Sequence, residues 1–552
     1  MKNDMFLSRD ASLRFADLLR FAPETHDHSF LLKWADANGV PLCFMDQGSL
    51  GTFPGQSDWL KTRELALQRL PREKITWFPE YCAITEALSQ QGIPICLIKT
   101  HGPFPFWSGN IDSIVLEKDL QDVVHIVESA GLVRLPWCDE PHKLLFKRFE
   151  KGKTVISLHL HSRIVWDATF IHSEDAVRNN RLIDNERKIR IINSGALIAT
   201  ILAHAFMENR SVRLIDLHVI SEASRTDDGI WEDATRIAEK MEWKREFSLA
   251  TQAFREADRV LRRNKGAGLL DYGGQKIFFE RRDPVAKLIN KRIGEATTFP
   301  ISLPTLPTKG FLMKRIYARD DMPGFPTGLS RIWLFLRDFL IRELGNELVK
   351  GKIIAVSGPD GSGKTTVAKG IGDLMKEMGV NSAIYWSRYG TISLMQEPFG
   401  TGTRKTAQGR GERTGKEIPK KGKMKLIENI ARLQMKSVSS RVSGRNIIFD
   451  RHFLDTKIDH LIETKGGSPY LLRFGDSWIT KPDFHIALMT NPATLASRSH
   501  EEIPCSMKKT QMYSMILHND PTDRIIKIDS GRPVEDTLDE MVPGLVKALS
   551  TR

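Results

Sequence analysis

Along residues 350–552 the apolar positions fall into short unbroken runs separated by longer amphipathic stretches. "KIIAVSG", "SAIYWS", "NIIFD", "DFHIALMT" and "RIIKID" are rich in β-branched residues and read as buried strands. Between and after them, "TTVAKGIGDLMKEMG", "KLIENIARLQMKSVSSR" and "LDEMVPGLVKAL" repeat their apolar residues at helical spacing. Such alternation predicts an α/β unit, a parallel sheet covered by helices. Upstream the pattern changes. Residues 1–80 predict a helical segment, from "ASLRFADLLRF" and "DWLKTRELALQRL". Residues 81–170 predict an α+β core: helix "YCAITEALSQQG", strand "IPICLIKT", strand "SIVLE", helix "DLQDVVHIVESAG" and strand "KTVISLHLH". Residues 171–298 return to helix, with "GALIATILAHAFMEN" and "WEDATRIAEKMEW". Residues 299–349 hold a Pro/Gly-rich connector, "FPISLPTLPTKG" and "DMPGFPTG", and an amphipathic helix, "RIWLFLRDFLIREL". Residues 350–552 form the last expected domain.

Composition narrows the class. A chain of 552 residues with 41% hydrophobic and 27% charged residues has the make-up of an ordinary globular protein with room for several domains. The opening "MKNDMFLSRDASLRFADLL" carries charges through its apolar positions, unlike a secretory leader, and no long apolar run predicts a membrane span. Cys43, Cys82, Cys96, Cys138 and Cys505 lie far apart with no C-x-x-C pair, which predicts neither a zinc site nor a disulfide framework. A reducing, cytoplasmic setting is the expectation.

The net charge of +13 is concentrated. Residues 401–425 hold nine Lys/Arg against Glu412 and Glu417, with almost no apolar residue. This predicts a solvated basic loop and a candidate contact for a polyanion. It lacks the interleaved aromatic residues of a single-strand nucleic-acid platform.

The chemistry concentrates at "IIAVSGPDGSGKTT". Gly358 to Thr365 fits G-x-x-x-x-G-K-[ST], preceded by a strand pattern and followed by a helix pattern. In that context Gly358, Asp360, Gly361, Ser362, Gly363, Lys364, Thr365 and Thr366 form a candidate ATP cradle. The glycines let successive N–H groups converge on a phosphate, and the helix N-terminus favours the anion. Lys364 is positioned to reach the β/γ-phosphates, and the Thr365 hydroxyl to ligate Mg²⁺. Further on, "NIIFDRH" ends a strand in Asp450, a second candidate metal ligand, with Arg451 beside it as a phosphate clamp. Lys364, Asp450 and Arg451 are the candidate catalytic residues.

"GPDGSGKTT", "IIFDRH", "KPDFHIALMTNPATLASR" and "IDSGRPVEDTLDEM" together resemble the thymidylate kinase-like branch of nucleoside-monophosphate kinases over roughly 350–550. The resemblance implies that Asp360 and Arg451 lie near the acceptor phosphate. It also implies that Arg498 begins a lid over ATP and that Arg388, in "SRYG", is a partial match to an acceptor-binding segment. Two departures stand out: His452 replaces the usual Tyr, and the basic insertion falls where nucleoside recognition would sit. They leave ATP binding intact and the acceptor open.

"IPICLIKTHGPFPFWSGNIDSIVLEKDLQDVVHIVESAGLVRL", "KTVISLHLH" and "LAHAFMENRSVRLIDLHVISEA" resemble a nucleotidyltransferase-like family over about 80–265. That chemistry needs carboxylates holding two metals. Here Asn110 and Asp112 stand where Asp-x-Asp should be, and the third position falls near Ser157, so only Asp112 keeps its charge. Unless Glu117 or another acid substitutes, this domain is expected not to catalyse. His159 and His161 share one face of a strand and, without a third ligand, are read as structural. His204 and Asp216 are read as packing residues unless they reach the cleft. The expected function is ATP- and Mg²⁺-dependent phosphoryl transfer to a nucleoside monophosphate or related phosphorylated small molecule. The alternatives are nucleotidyl transfer by the N-terminal domain and a non-catalytic ATP-switched binding protein. Oligomeric state stays open.

Overall fold

The computed structural model describes residues 15–303 and 351–550, except for 16, 43–44, 46–55, 69–72, 100–109, 141, 167–168, 227–228, 266–267, 271–283, 387–418, 464–468, 500–502 and 519–524. Cys43, Arg388, residues 401–418 of the basic segment and residues 304–349 of the connector with its amphipathic helix therefore lie outside the described residues. The chain divides into two compact units at residues 336/337, with 149–153 grouped with the second.

The N-terminal unit is built on a seven-stranded mixed sheet of order β3-β4-β5-β2-β1-β9-β8. Its strands are β1 (Cys96–Leu97), β2 (Ile111–Ile114), β3 (Val133–Arg134), β4 (Lys143–Glu150), β5 (Lys153–His161), β8 (Arg181–Asp184) and β9 (Ile189–Ile191). β6 (Val165–Trp166) pairs with β7 (Thr169–Phe170), and β10 (Ser211–Val212) with β11 (Ile301–Ser302). Alternate residues of β1 and β2 point to opposite faces, as a pleated strand dictates. Leu97 and Ile111 pack with Tyr81 and Leu88 of α1 (Glu73–Gln90) and Val123 and Val127 of α2 (Leu120–Ser129). Cys96 and Ile114 join the opposite cluster, which runs from Phe15 to Leu303 and includes all-buried α3 (Ser194–Ala203). The helices expected in 1–80 and 171–298 thus share one core with the sheet.

The C-terminal unit holds a five-stranded, all-parallel sheet of order β13-β14-β12-β15-β16. Its strands are β12 (Ile353–Ser357), β13 (Ser382–Trp386), β14 (Asn446–Asp450), β15 (Phe484–Met489) and β16 (Ile525–Asp529). β12 and β14 are buried at every position, which is why they read as continuous apolar runs. α4 (Lys364–Glu377) follows β12, and α10 (Val534–Ser550) closes the unit, Gly370 allowing Leu538 to approach. The other face is covered by α5 (Pro419–Ser443), α6 (Phe453–Glu463) and α7 (Pro469–Trp478), whose Leu426, Ile430, Phe453 and Leu472 pack on Ile353, Ile447 and Phe449. α8 (Pro492–Ser499) and α9 (Ile503–His518) lie between β15 and β16 in sequence. The fold is α/β, as expected.

One correction concerns the basic segment. Its last part, residues 419–425, belongs to helix Pro419–Ser443 rather than to a loop. Pro419 opens that helix, a position where its missing N–H is no loss and its fixed φ fits.

Candidate functional site

β12 is the central strand, and the chain leaves it for β14 on one side and β15 on the other. In open parallel sheets this reversal point, at the carboxyl ends of the strands, opens a crevice for ligands. Residues 358–363 occupy it. Gly363 has φ 87°, the left-handed conformation glycine adopts without strain, and starts α4. Gly358 is needed for space: a Cβ there would sit 2.7 Å from Ser362 Oγ and 2.8 Å from the Leu488 carbonyl oxygen. The side chain of Lys364 is buried, and its ammonium group donates to the carbonyls of Gly358 at 2.6 Å and Pro359 at 2.8 Å. Burial lowers its pKa, against the pull of Asp455, Asp360 and Asp450.

Register brings Asp450 to the mouth of the loop, because Val356 pairs with Asp450 across the β12–β14 ladder. The Thr365 hydroxyl donates to Asp450 Oδ2 at 2.6 Å. Asp450 is 1% exposed and its Oδ1 has no hydrogen-bond partner. Burial raises its pKa, with Thr365, Lys364 and Arg451 acting in the opposite direction. A buried carboxylate oxygen without a partner, beside a hydroxyl, is a donor set that fits Mg²⁺, which takes one or two protein oxygens and fills its shell with phosphates and water. Among the described residues no group of three or more His, Cys, Asp or Glu side chains is arranged to hold a metal ion.

Arg451 follows with φ 79°, rare for a non-glycine residue, while its N–H donates to the Val356 carbonyl at 3.0 Å. Its guanidinium donates to Asp360 Oδ1. Lys509 of α9 stands 3.5 Å from Asp360 Oδ2, and Lys364 3.5 Å from Oδ1. Burial works against the Asp360 charge, but Lys364, Arg451 and Lys509 overcome it and hold the carboxyl well below its usual range. Lys364, Thr365, Asp360, Asp450 and Arg451 therefore meet at one place. Gly361 and Thr366 lie in the same loop and first helical turn, and Ser362 Oγ is buried without a partner. Arg498 donates from its guanidinium to the Ser530 carbonyl at 3.2 Å.

Sequence reading missed the groups that brace this loop. Buried Asp455 accepts from the Gly358 N–H at 3.1 Å, the His452 N–H at 3.0 Å and the Tyr513 hydroxyl at 2.8 Å. Tyr513 also lies 3.0 Å from the Gly358 carbonyl oxygen. The bond from His452 N–H to a carboxylate three residues on has the geometry of half a capping box, but "HFLD" lacks the Ser/Thr-x-x-Glu/Gln signature by which a chain announces one. Tyr513 and Lys509, one turn apart on α9, left no signal either. His452, where the resemblance expected Tyr, is buried beside Phe449 and His485, and burial followed by His485 pushes its pKa down to about 3.

In the N-terminal unit β2 pairs with β5 so that Asp112 faces His159. Ser157 Oγ donates to Asn110 Oδ1 at 2.8 Å. Asp112 Oδ1 lies 3.1 Å from His159 Nδ1 and 3.5 Å from His161 Nε2, and Lys99 Nζ is 3.3 Å from Oδ2. The two histidines thus lie beside Asp112, an acid that Lys99 already matches. Burial opposes the Asp112 charge, while Lys99, His159 and His161 hold its pKa well below the usual value. Glu117 is held by Arg163, and Asp216 by Arg213. His204 packs beside Trp166 and is 3.2 Å from Glu208.

No protein-family model and no curated protein sequence matches this chain. Among solved structures it is similar to deoxyadenosine kinase from M. mycoides, described with products dCMP and a flexible dCDP bound. That match has 14% identity and a TM-score of 0.25, covering 35% of this chain and 99% of the other.

Proposed function

We propose that the C-terminal unit is an ATP- and Mg²⁺-dependent phosphotransferase of the thymidylate kinase-like class. Its acceptor is a nucleoside monophosphate or related phosphorylated small molecule. The observation that carries this reading is the Thr365–Asp450 pair, with its unpartnered buried oxygen, set beside the glycine loop and Lys364. Residues 358–366 bind the ATP phosphates. Thr365 and Asp450 would hold Mg²⁺, which supplies charge neutralisation on the β- and γ-phosphates when bound. Lys364 exchanges its two loop carbonyls for phosphate oxygens, a charge-assisted bond replacing neutral ones. Arg451, oriented by Asp360, grips an anionic group of the acceptor. Arg388 belongs to this reading as a second acceptor contact, Arg498 as the start of the lid, and residues 401–425 as a polyanion contact.

The N-terminal unit, read as a degenerate nucleotidyltransferase-like domain, plays no catalytic part in this proposal. Support comes from the neutral Asn110–Ser157 pair and from the ammonium of Lys99 on Asp112, where a two-metal site needs uncompensated acids. The test is ADP release from Mg-ATP with a panel of nucleoside monophosphates and phosphorylated sugars. Lys364→Ala should lower acceptor-dependent turnover by at least about a hundredfold, the loss typical of removing one charge-stabilising donor. Asp112→Ala should leave turnover unchanged. Turnover insensitive to Lys364→Ala but abolished by Asp112→Ala would transfer the activity to the N-terminal unit.

A further inference from the structure

Two cations from separate elements reach the same loop carboxylate. Arg451, just after β14, donates to Asp360 Oδ1, and Lys509 of α9 (Ile503–His518) lies 3.5 Å from Asp360 Oδ2. The Lys509 side chain is 11% exposed. Tyr513 stands one turn further along the same helix face. Its hydroxyl donates to Asp455 at 2.8 Å and lies 3.0 Å from the Gly358 carbonyl oxygen. One face of α9 is therefore pinned to the glycine loop at Gly358 and again at Asp360.

An ion pair that served only to hold Asp360 would be complete with Arg451. A second, nearly buried cation loses hydration, and a carboxylate already matched by a guanidinium offsets that loss poorly. The contact at 3.5 Å is also longer than a good hydrogen bond, so exchanging it for a better acceptor sacrifices little. Within contact distance, the charges of Arg451 and Asp360 cancel, and Lys509 leaves one net positive charge. Lys364, the other cation at 3.5 Å from Asp360, is directed to the loop carbonyls and, in the reading above, to ATP.

We propose that Lys509 is an acceptor-binding residue that clasps the acceptor's phosphate together with Arg451 and supplies the net positive charge that lets this phosphate approach ATP. The inference rests on the kinase reading above and deepens it, by naming the contact that selects a phosphomonoester dianion. Both reactants are anions, and like charges repel strongly at close range in a partly buried site. The neutral Arg451–Asp360 pair offers hydrogen bonds but no net attraction for a dianion. Lys509 adds that attraction as a point charge with rotatable donors, beside the planar fork of Arg451. In the step, a phosphate oxygen of the acceptor forms a bond to the γ-phosphorus. The bond from that phosphorus to the bridging oxygen breaks, and its electron pair leaves with ADP. The products are a diphosphate and ADP, and no proton has to move.

The experiment uses the full chain, Mg-ATP and the acceptor that gives turnover in the panel above. Lys509→Met keeps the length of the side chain and removes its charge. It should raise the acceptor KM about 10–100-fold, the range for losing a hydrogen bond to a charged group. The KM for ATP should stay within about twofold of wild type, a split that a merely structural lysine would not produce. Lys509→Arg, which keeps the charge, should recover most of the loss. An unchanged acceptor KM in Lys509→Met, or equal increases for acceptor and ATP, would overturn the inference and leave the kinase reading standing. Should Lys509→Met fail to fold, the wild-type chain decides, through the rate of Lys509 acetylation read by mass spectrometry. The acceptor should slow that reaction and its dephosphorylated form should not; equal rates with and without the acceptor would overturn the inference. Absence of turnover by wild type with every acceptor would instead overturn the kinase reading, and the inference with it.

Discussion

Removing the Asp455 carboxylate should loosen the glycine loop by a predictable amount. In Asp455→Ala the N–H groups of Gly358 and His452 lose their acceptor, while Tyr513 keeps the Gly358 carbonyl within reach. A hydrogen bond to a charged group contributes about 1.5–3 kcal/mol, and a buried donor left unpaired costs about 1–3 kcal/mol. Both amides depend on one residue and water can relieve part of the loss, so we expect local opening to become easier by about 3 kcal/mol. At about 1.4 kcal/mol per tenfold, that lowers amide protection roughly a hundredfold. Hydrogen exchange read by mass spectrometry on the full chain, in peptides covering 353–363 and 447–456, measures it directly. Tyr513→Phe, which removes a donor but no acceptor of the amides, should change the same peptides about tenfold or less. Equal effects of the two variants, or unchanged protection in Asp455→Ala, would refute the view that this carboxylate holds the loop.

Other expectations follow from single observations. Gly358→Ala should abolish ATP binding measured by calorimetry, because the new Cβ would press on the Leu488 carbonyl, backbone that cannot rotate away. In the N-terminal unit His172 is held neutral: burial pushes its pKa down to about 4, against its Nδ1 contact with the Ser173 carbonyl at 3.2 Å. Between about 6.5 and 4 the unfolded chain binds the extra proton, so stability falls as pH falls through that window, by about 3 kcal/mol in all. His172→Gln should flatten that part of the pH dependence of the melting temperature, and an unchanged slope would contradict it.

The chain announced its strands where burial is complete and hid them where it is not. "NIIFD" coincides with β14 because every position is inside. β4, "KLLFKRFE", went unread because Lys143, Lys147 and Arg148 interrupt the apolar run, although Phe146 is fully buried and Leu145 and Phe149 nearly so. "IPICLIKT" overreached: only Cys96–Leu97 pairs as strand, and Lys99 turns to φ 64° before the run ends. The same division holds in the site. Lys364, Thr365, Asp450 and Arg451 were legible because each sits in or just after a local strand-to-turn pattern. Asp455, Lys509 and Tyr513 reach the loop only through the packing of α6 and α9, which no local pattern encodes.

The strand order has a consequence for biosynthesis. β12 is made first among the five strands, but its two ladder partners, β14 and β15, follow much later. Asp455 meets Gly358 from 97 residues downstream, and Tyr513 from 155. A nascent chain therefore carries the complete phosphate-binding motif long before it carries the means to shape it. During that interval a central strand with four consecutive apolar residues stands without its ladder partners, and such non-local pairing is slow and exposed to wrong partners.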